Sequence, residues 1–481
     1  MRVLHVGWGF SPWRPGGLIA YAEDLMREQV GRGHQVSYFL SGRHYPFLSG
    51  PRLKRRRSDG VRMYEVVNPP VVAGMEHGTR HPERDLDEPR IEAAFRRLLG
   101  RVRPEVVHIQ ELHGLPSSLI DVAAEVGVPT LMTLQDYFPL CATLRLYDSN
   151  GERCMRRDVG ADCVMRTAEA PADAEPLIRV TMRYELARAR RALGLGGVDF
   201  SVLAPVIVPL QERYLRGGRR PADAPPRSAG GGERVLEAAF QRRRDLNLER
   251  LGRVGRLVAQ SPRVAEIYQA LGVSGERMTT IPFTLAHIER LRPRSLRSAP
   301  RPVTFATING CVSPSKGSET VRTALRVLRA SGLRGRFRLR VLGYVHEAVA
   351  DELAACEEVE LRGLYGRDEL DGLLEDVDVG LMPSMWEEAF GYTGLEMVAK
   401  GVPLIANPLG GIVEYAREGE TAWLNPSCSG EGLAELMSEL VREPERVVDM
   451  HRRLMDVRDE LITPLAQHAD AIEELYAELG S

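Results

Sequence analysis

A chain of 481 residues can bury two full-sized cores, so two domains and an insertion are expected. Its 64 basic and 66 acidic residues leave a formal charge of −2, with no general pull towards nucleic acid, and no apolar run reaches the ~18 residues of a spanning helix, so any membrane contact would be peripheral. The strand-like start at residues 1–6 leaves no room for a secretory signal, and six irregularly spaced cysteines do not resemble a secreted disulfide framework, which points to a cytoplasmic protein.

Residues 2–7 read as a first strand. Gly9-Phe10-Ser11-Pro12-Trp13-Arg14-Pro15-Gly16-Gly17 is a turn, residues 18–31 carry apolar side chains at helical spacing, and residues 35–40 form a second strand. In such a βαβ unit a Gly-Gly pair before a helix lets a diphosphate approach the backbone, although the pair is more often only a tight turn. The basic run Leu53-Lys54-Arg55-Arg56-Arg57 reads as a solvated loop in preference to an anionic-lipid or phosphate contact. A helix at 91–101 and a strand at 106–110 follow, and Glu111-Leu112-His113-Gly114-Leu115 closes that strand, so His108 and His113 lie at or beyond its end. The strand 130–134 leads into Gln135-Asp136-Tyr137-Phe138-Pro139. Cys141, Cys154 and Cys163 are separated by 12 and 8 residues and lack the close pair typical of structural zinc, so free thiols are preferred to a zinc site.

Between about residues 165 and 256 lies the insertion, with helices expected at 175–193 and 233–251 around an Arg-, Pro- and Gly-rich loop at 215–232. It could cap the site, recognise a large acceptor, or be peripheral decoration. The first domain is expected to end near 290 and the second to run over 291–455, starting a new sheet at 303–308. The loop Asn309-Gly310-Cys311-Val312-Ser313-Pro314-Ser315-Lys316-Gly317 follows that strand. Only Lys54, Lys316 and Lys400 are lysines among the 64 basic residues, so a lysine in such a loop is either kept for its compact ammonium or retained by chance. Further strands are expected at 338–342 and 359–364, helices at 433–440 and 447–461, and a last helix at 466–479 within a closing segment 456–481.

The apolar run 377–382 reads as a buried strand and 393–400 as the helix after it. Glu388 then lies in the loop above a strand end, and Glu396 about a turn inside the helix. In an open α/β sheet, ligands bind in that crevice, where carboxylates accept hydrogen bonds from sugar hydroxyls and a helix start holds phosphate. Two solvated glutamates beside a core helix are the plainer alternative.

The stretch Pro383-Ser384-x-x-Glu387-Glu388-Ala389-Phe390-Gly391-x-x-x-Leu395-Glu396-Met397 resembles the Glu-x7-Glu signature of family 4 retaining glycosyltransferases, and Gly410-Gly411-Ile412-Val413-Glu414 continues it in order. The resemblance implies an α/β protein of the GT-B fold, with two Rossmann-like domains facing a central cleft, acceptor in the first and nucleotide sugar in the second, and a C-terminal segment 456–481 that packs back on the first domain. It implies that Gly16 and Gly17 face the donor diphosphate and that Lys316, beside Gly310 and Gly317, binds it. The Gly363-Leu364 turn would meet the nucleotide base, Glu388 the sugar hydroxyls and Glu396 the ribose. The backbone from Ala389 through Phe390, Gly391, Tyr392 and Thr393 would support the diphosphate. His113 is carried over as a catalytic residue, and Gln135 stands where family members usually have a histidine. Glutamine keeps a hydrogen-bonding role but cannot shuttle a proton. Near Cys311 the family often has an arginine that this chain lacks.

The expected activity is retaining transfer of a sugar from a nucleoside diphosphate sugar to the hydroxyl of a glycan, lipid-linked or natural-product acceptor. No cofactor beyond the donor itself and no catalytic metal are expected, because no Asp-x-Asp pair stands at a suitable strand end. Gln135 and the missing arginine keep two alternatives open: a pseudo-glycosyltransferase or nucleotide-sugar epimerase, and a nucleotide-sugar-binding subunit without catalysis.

Overall fold

The computed structural model describes residues 1–46, 50–70, 78–147, 152–168, 170, 174–194, 231–296, 298–299 and 301–480. The chain divides into two compact units. The first comprises Met1–Val258, Tyr268–Met278 and Glu473–Ser481; the second comprises Ala259–Ile267 and Thr279–Ile472.

The first unit is built on an eight-stranded sheet of order β3-β4-β2-β1-β5-β6-β7-β8. Its strands are β1 (Arg2–Trp8), β2 (Gln35–Ser41), β3 (Arg52–Ser58), β4 (Val61–Val67), β5 (Val106–Ile109), β6 (Thr130–Leu134), β7 (Arg256–Ala259) and β8 (Met278–Thr280). From β4 to β6 the pairings are parallel. β5 and β6 are buried along their whole length, as strands of a parallel sheet covered on both faces must be. β1 has β2 on one side and β5 on the other, so the order reverses there, and the loops that leave β1 and β5 open at the switch point.

The basic run at 53–57 is not a loop. It is the edge strand β3, paired antiparallel with β4 from Arg52↔Val67 to Ser58↔Val61. The two-residue connection is Asp59-Gly60, with φ of 49° and 81°, the hairpin turn that Asp-Gly favours. Its charges suit an edge, because they discourage pairing with a further strand. Arg56 also covers the Phe10 ring, with its guanidinium carbon 3.4 Å from the centroid.

The helices Glu175–Ala192 and Gly231–Leu251 are built into this unit. Arg43, fully buried, is clamped by Glu65 at 2.6 Å and by Glu185 of the first of these helices. From the second, Arg243 reaches Asp85 at 2.9 Å and the Phe138 carbonyl at 2.7 Å, and Asn247 donates to the Pro139 carbonyl at 2.8 Å. This helix therefore braces the loop after β6, which carries Gln135 and Asp136. The loop expected at 215–232 lies outside the described residues up to 230, where the helix begins at Gly231.

The second unit has six parallel strands in the order β11-β10-β9-β12-β13-β14. They are β9 (Val303–Ile308), β10 (Phe337–Leu342), β11 (Val359–Gly363), β12 (Val379–Met382), β13 (Leu404–Ala406) and β14 (Ala422–Leu424). A contiguous apolar core joins this sheet to the helices Ser318–Ala330 and Gly430–Arg442. The order reverses between β9 and β12, so the loops after these two strands, carrying Lys316 and Glu388, open at one switch point.

Candidate functional site

In the second unit the two switch-point loops are laced together. Met385 N–H donates to the Ser315 carbonyl at 2.8 Å. Gly317 has φ of 101°, and a Cβ there would lie 2.3 Å from the Pro383 carbonyl oxygen, so only glycine fits the approach. Gly310 is similarly tight, since a Cβ would lie 2.0 Å from Thr307 Oγ1. Among the described residues the buried hydroxyls of Thr307 and Ser318, at either end of the first loop, have no hydrogen-bond partner.

Glu388 is buried, and one of its oxygens, Oε1, collects three donors. Lys316 Nζ lies at 2.5 Å, Ser384 Oγ at 2.5 Å and Trp386 Nε1 at 2.9 Å. The Lys316 ammonium also stands 5.0 Å from the Trp386 ring centroid. Glu387, its neighbour in sequence, has a different environment. Arg263 Nη2 binds it at 2.9 Å and Gly410 N–H donates to it at 2.6 Å. Gly410 itself must be glycine, with φ of 62° and a would-be Cβ 2.0 Å from the Glu388 carbonyl oxygen.

The helix Tyr392–Ala399 starts from Gly391 at φ 78° and has no side-chain cap. Ala389 accepts a hydrogen bond at its carbonyl from Ser261 Oγ at 3.3 Å. Phe390 packs on Tyr415, Tyr392 on Phe283, and Thr393 Oγ1 lies on the Met382 sulfur at 3.3 Å. Glu396, one turn into the helix, is buried and bound through Oε1 to His287 Nε2 at 2.7 Å, while its Oε2 has no partner among the described residues. The Gly363 turn has φ of 68°, and Leu364 beside it is 84% exposed. Cys311 is a core residue: burial pushes its thiol up to about 12, so it cannot replace an arginine at a phosphate.

In the first unit Gly16 is extended and its would-be Cβ meets open space, while Gly17 starts the helix Gly17–Gly31, which has no side-chain cap. At the end of β5 stand Glu111 and His113. The His113 imidazole lies between the Trp8 and Phe138 rings, with Nε2 2.8 Å from Asp136 Oδ2 and Nδ1 3.8 Å from Glu111 Oε2. Burial alone would lower its pKa, but the Asp136 and Glu111 carboxylates raise it overall. Burial pushes Glu111 up to about 7. One ligand atom from each of Glu111, His113 and Asp136 lies within 4.8 Å of the others, and the Arg14 guanidinium, stacked 3.4 Å over Trp8, adds positive charge facing Glu111. Gln135 Nε2 donates to Gln110 Oε1 at 3.1 Å, and its own Oε1 is buried without a partner among the described residues. His108 is not in this group; it bonds Tyr476 and Thr133. Cys141, Cys154 and Cys163 are free thiols, and burial pushes Cys163 up to about 12.

Sequence reasoning thus singled out Glu388, Lys316 and Glu396 but assigned nothing to Ser384, Trp386 or His287. The first two had a signal, since a serine and a tryptophan stand in the loop before Glu388. His287 had none, being 109 residues from its partner.

Two open α/β sheets, each with loops opening at a switch point, are the architecture of the GT-B fold. Residues 16–192 match the family described as Glycosyl transferase 4-like domain, and residues 301–454 match Glycosyl transferases group 1. The amylovoran biosynthesis glycosyltransferase AmsK of Erwinia amylovora is 26% identical over 169 residues, 33% of this chain and 40% of that protein. The D-inositol 3-phosphate glycosyltransferase of Paenarthrobacter aurescens is 25% identical over 283 residues, 54% of this chain and 64% of that protein. The matches therefore span from about two fifths to under two thirds of these relatives. Among solved structures, sucrose-phosphate synthase from Thermosynechococcus elongatus superposes with a TM-score of 0.60 at 16% identity, covering 100% of this chain and 99% of that one. Anabaena HepE, solved with UDP and glucose, gives 0.55 at 12% identity over 99% of both chains. At such identities the likeness establishes the fold. No helix of the described residues is long and apolar enough to cross a membrane.

Proposed function

We propose that this chain is a retaining glycosyltransferase that moves a sugar from a nucleoside diphosphate sugar to an acceptor hydroxyl, without a catalytic metal. The observation that carries the proposal is Glu388, a buried carboxylate held by Lys316, Ser384 and Trp386 at the second unit's switch point. Family matches over both halves and a neighbour in fold, HepE, solved with UDP and glucose, support the donor class.

In this reading Glu388 accepts hydrogen bonds from the donor sugar, and the free Glu396 Oε2 accepts from a ribose hydroxyl, with His287 holding the other oxygen. Lys316 turns from Glu388 to the diphosphate, where the uncapped start of Tyr392–Ala399 adds backbone donors. The bond between the anomeric carbon and the phosphate oxygen breaks with its electron pair going to the diphosphate. The acceptor oxygen bonds to the same face, and its proton passes to the departing phosphate. Gln135, His113 and the Gly16-Gly17 turn belong to the same reaction from the first unit.

The test is incubation of the purified protein with a panel of nucleoside diphosphate sugars, followed by mass spectrometry. Release of nucleoside diphosphate with a hydrolysed or transferred sugar is expected. An isomerised donor would indicate an epimerase, and binding without product a non-catalytic subunit.

A further inference from the structure

We infer that Tyr476, on the last helix, Leu465–Gly480, is a positioning residue that sets which end of the Gln135 carboxamide is offered to a ligand, acting through Gln29, His5 and Gln110. The inference rests on the proposal that Gln135 belongs to the reaction site.

Six hydrogen bonds inside the first unit form one chain. Gln135 Nε2 donates to Gln110 Oε1 at 3.1 Å, and Gln110 Nε2 meets His5 Nδ1 at 3.0 Å. His5 Nε2 meets Gln29 Oε1 at 2.8 Å, and Gln29 Nε2 donates to the Tyr476 hydroxyl at 3.2 Å. That hydroxyl meets His108 Nδ1 at 2.6 Å, and His108 Nε2 meets Thr133 Oγ1 at 2.7 Å. Thr133 is two residues before Gln135, so the chain leaves the loop after β6, crosses to the last helix and returns to β6. All seven residues are buried.

Each interior link has one donor and one acceptor. A carboxamide presents NH2 on one side and C=O on the other, and a neutral imidazole has one N–H and one lone pair. Burial lowers His5 to about 4, so its ring is neutral at ordinary pH. With Gln110 donating to His5 Nδ1, the His5 proton must sit on Nε2 and point at Gln29. Tyr476 then accepts from Gln29 and donates to His108 Nδ1, whose proton sits on Nε2. The reverse order, with every bond turned round, satisfies the same contacts. A mixed order sets two donors or two acceptors face to face or, at Tyr476, leaves the hydroxyl proton without an acceptor, and either is disfavoured in a buried place. The links therefore turn together, and the tyrosine hydroxyl, both donor and acceptor, couples the two histidines. In the order present here the free end of Gln135 is Oε1, a buried acceptor without a partner among the described residues, which only a donating group could satisfy. In the reverse order it would be an NH2 group.

The full chain labelled with ¹⁵N-histidine allows a direct test by long-range imidazole NMR at pH 7. His5 and His108 are expected to be neutral and protonated on the same ring nitrogen; opposite tautomers, or a cationic ring, would overturn the relay. Tyr476→Phe keeps the ring that packs on His108 but removes the hydroxyl. In that variant His5 is expected to become a mixture of tautomers, and turnover to fall at least about fivefold while the donor KM stays within about twofold. An unchanged His5 signature with unchanged turnover would also overturn the inference. If the variant does not fold, the wild-type tautomers still decide. A protein that turns over no nucleoside diphosphate sugar sinks the transferase proposal, and the tautomer pattern then judges the relay separately.

Discussion

The Lys316 ammonium sits 2.5 Å from the Glu388 carboxylate, so the proposed diphosphate ligand and the proposed sugar ligand neutralise each other before a donor arrives. Donor binding must exchange this ion pair for one between Lys316 and phosphate. Lys316→Ala is expected to weaken nucleoside diphosphate binding by about 1.5–3 kcal/mol, the range for hydrogen bonds to charged groups. Unchanged affinity by calorimetry would remove Lys316 from the site.

Glu388→Gln has a two-sided expectation. The carboxylate that competes for the ammonium is gone, so nucleoside diphosphate should bind at least as tightly as to the wild type. Turnover should fall by at least about tenfold, because a contact made to the sugar as its anomeric carbon becomes cationic acts in the transition state. Weakened diphosphate binding with normal turnover would contradict both halves.

Glu396 has one oxygen on His287 and the other buried without a partner among the described residues, which suits a group that does not change during reaction. Glu396→Gln should therefore raise the donor KM more than it lowers turnover. Donors with a deoxygenated ribose should lose affinity for the wild type and lose little more for the variant. Equal penalties in both proteins would show that Glu396 does not meet the ribose.

The adjacent Glu387 belongs to the fold. Its carboxylate ties Arg263 to the Gly410 backbone, and removing it leaves a buried N–H without an acceptor. Because Arg263 is partly exposed, Glu387→Ala should cost about 3 kcal/mol, the low end for breaking a buried pair. Urea unfolding checks this, and a loss no larger than that of Glu388→Ala would contradict the division of labour.

Much of this was legible from the residues, because the turn glycines and strand-end loops carry local signals. Gly317, Gly391 and Gly410 have positive φ, and the strand at 303–308 appears with the predicted bounds. Glu388 was separable from Glu387 only by the spacing to Glu396, since two adjacent carboxylates carry no local mark of which one is clamped. The lysine scarcity was a partial guide. Lys316 pairs with Glu388 between the two switch-point loops, whereas Lys400 is buried in a structural pair with Asp371 and Glu375, and Lys54 lies on the edge strand opposite Glu65. The strand β3 was missed because its alternation is masked by charge, although Asp59-Gly60 was the available turn signal. His287, Tyr476 and the helix Gly231–Leu251 act across long sequence separations, where neither periodicity nor spacing carries information.

Glu111 gives a prediction with a definite sign. Burial raises its pKa to about 7 in the folded chain, above the 4.5 of an ordinary glutamate. The folded state therefore holds a proton that the unfolded chain releases, and the stability this contributes is fully present below about 4.5 and lost as pH rises to about 7. Glutamine resembles the protonated acid at every pH. Glu111→Gln should match the wild type near pH 4.5 and become progressively more stable than it towards pH 7. The gap should then level off at a value on the order of 3 kcal/mol, because each pH unit between the two pKa values is worth about 1.36 kcal/mol. Urea unfolding of both proteins across pH 4.5–8 measures that gap. A gap that does not change with pH would mean that Glu111 ionises as readily when folded as when unfolded. The carboxylate beside His113 and Arg14 would then be charged at neutral pH.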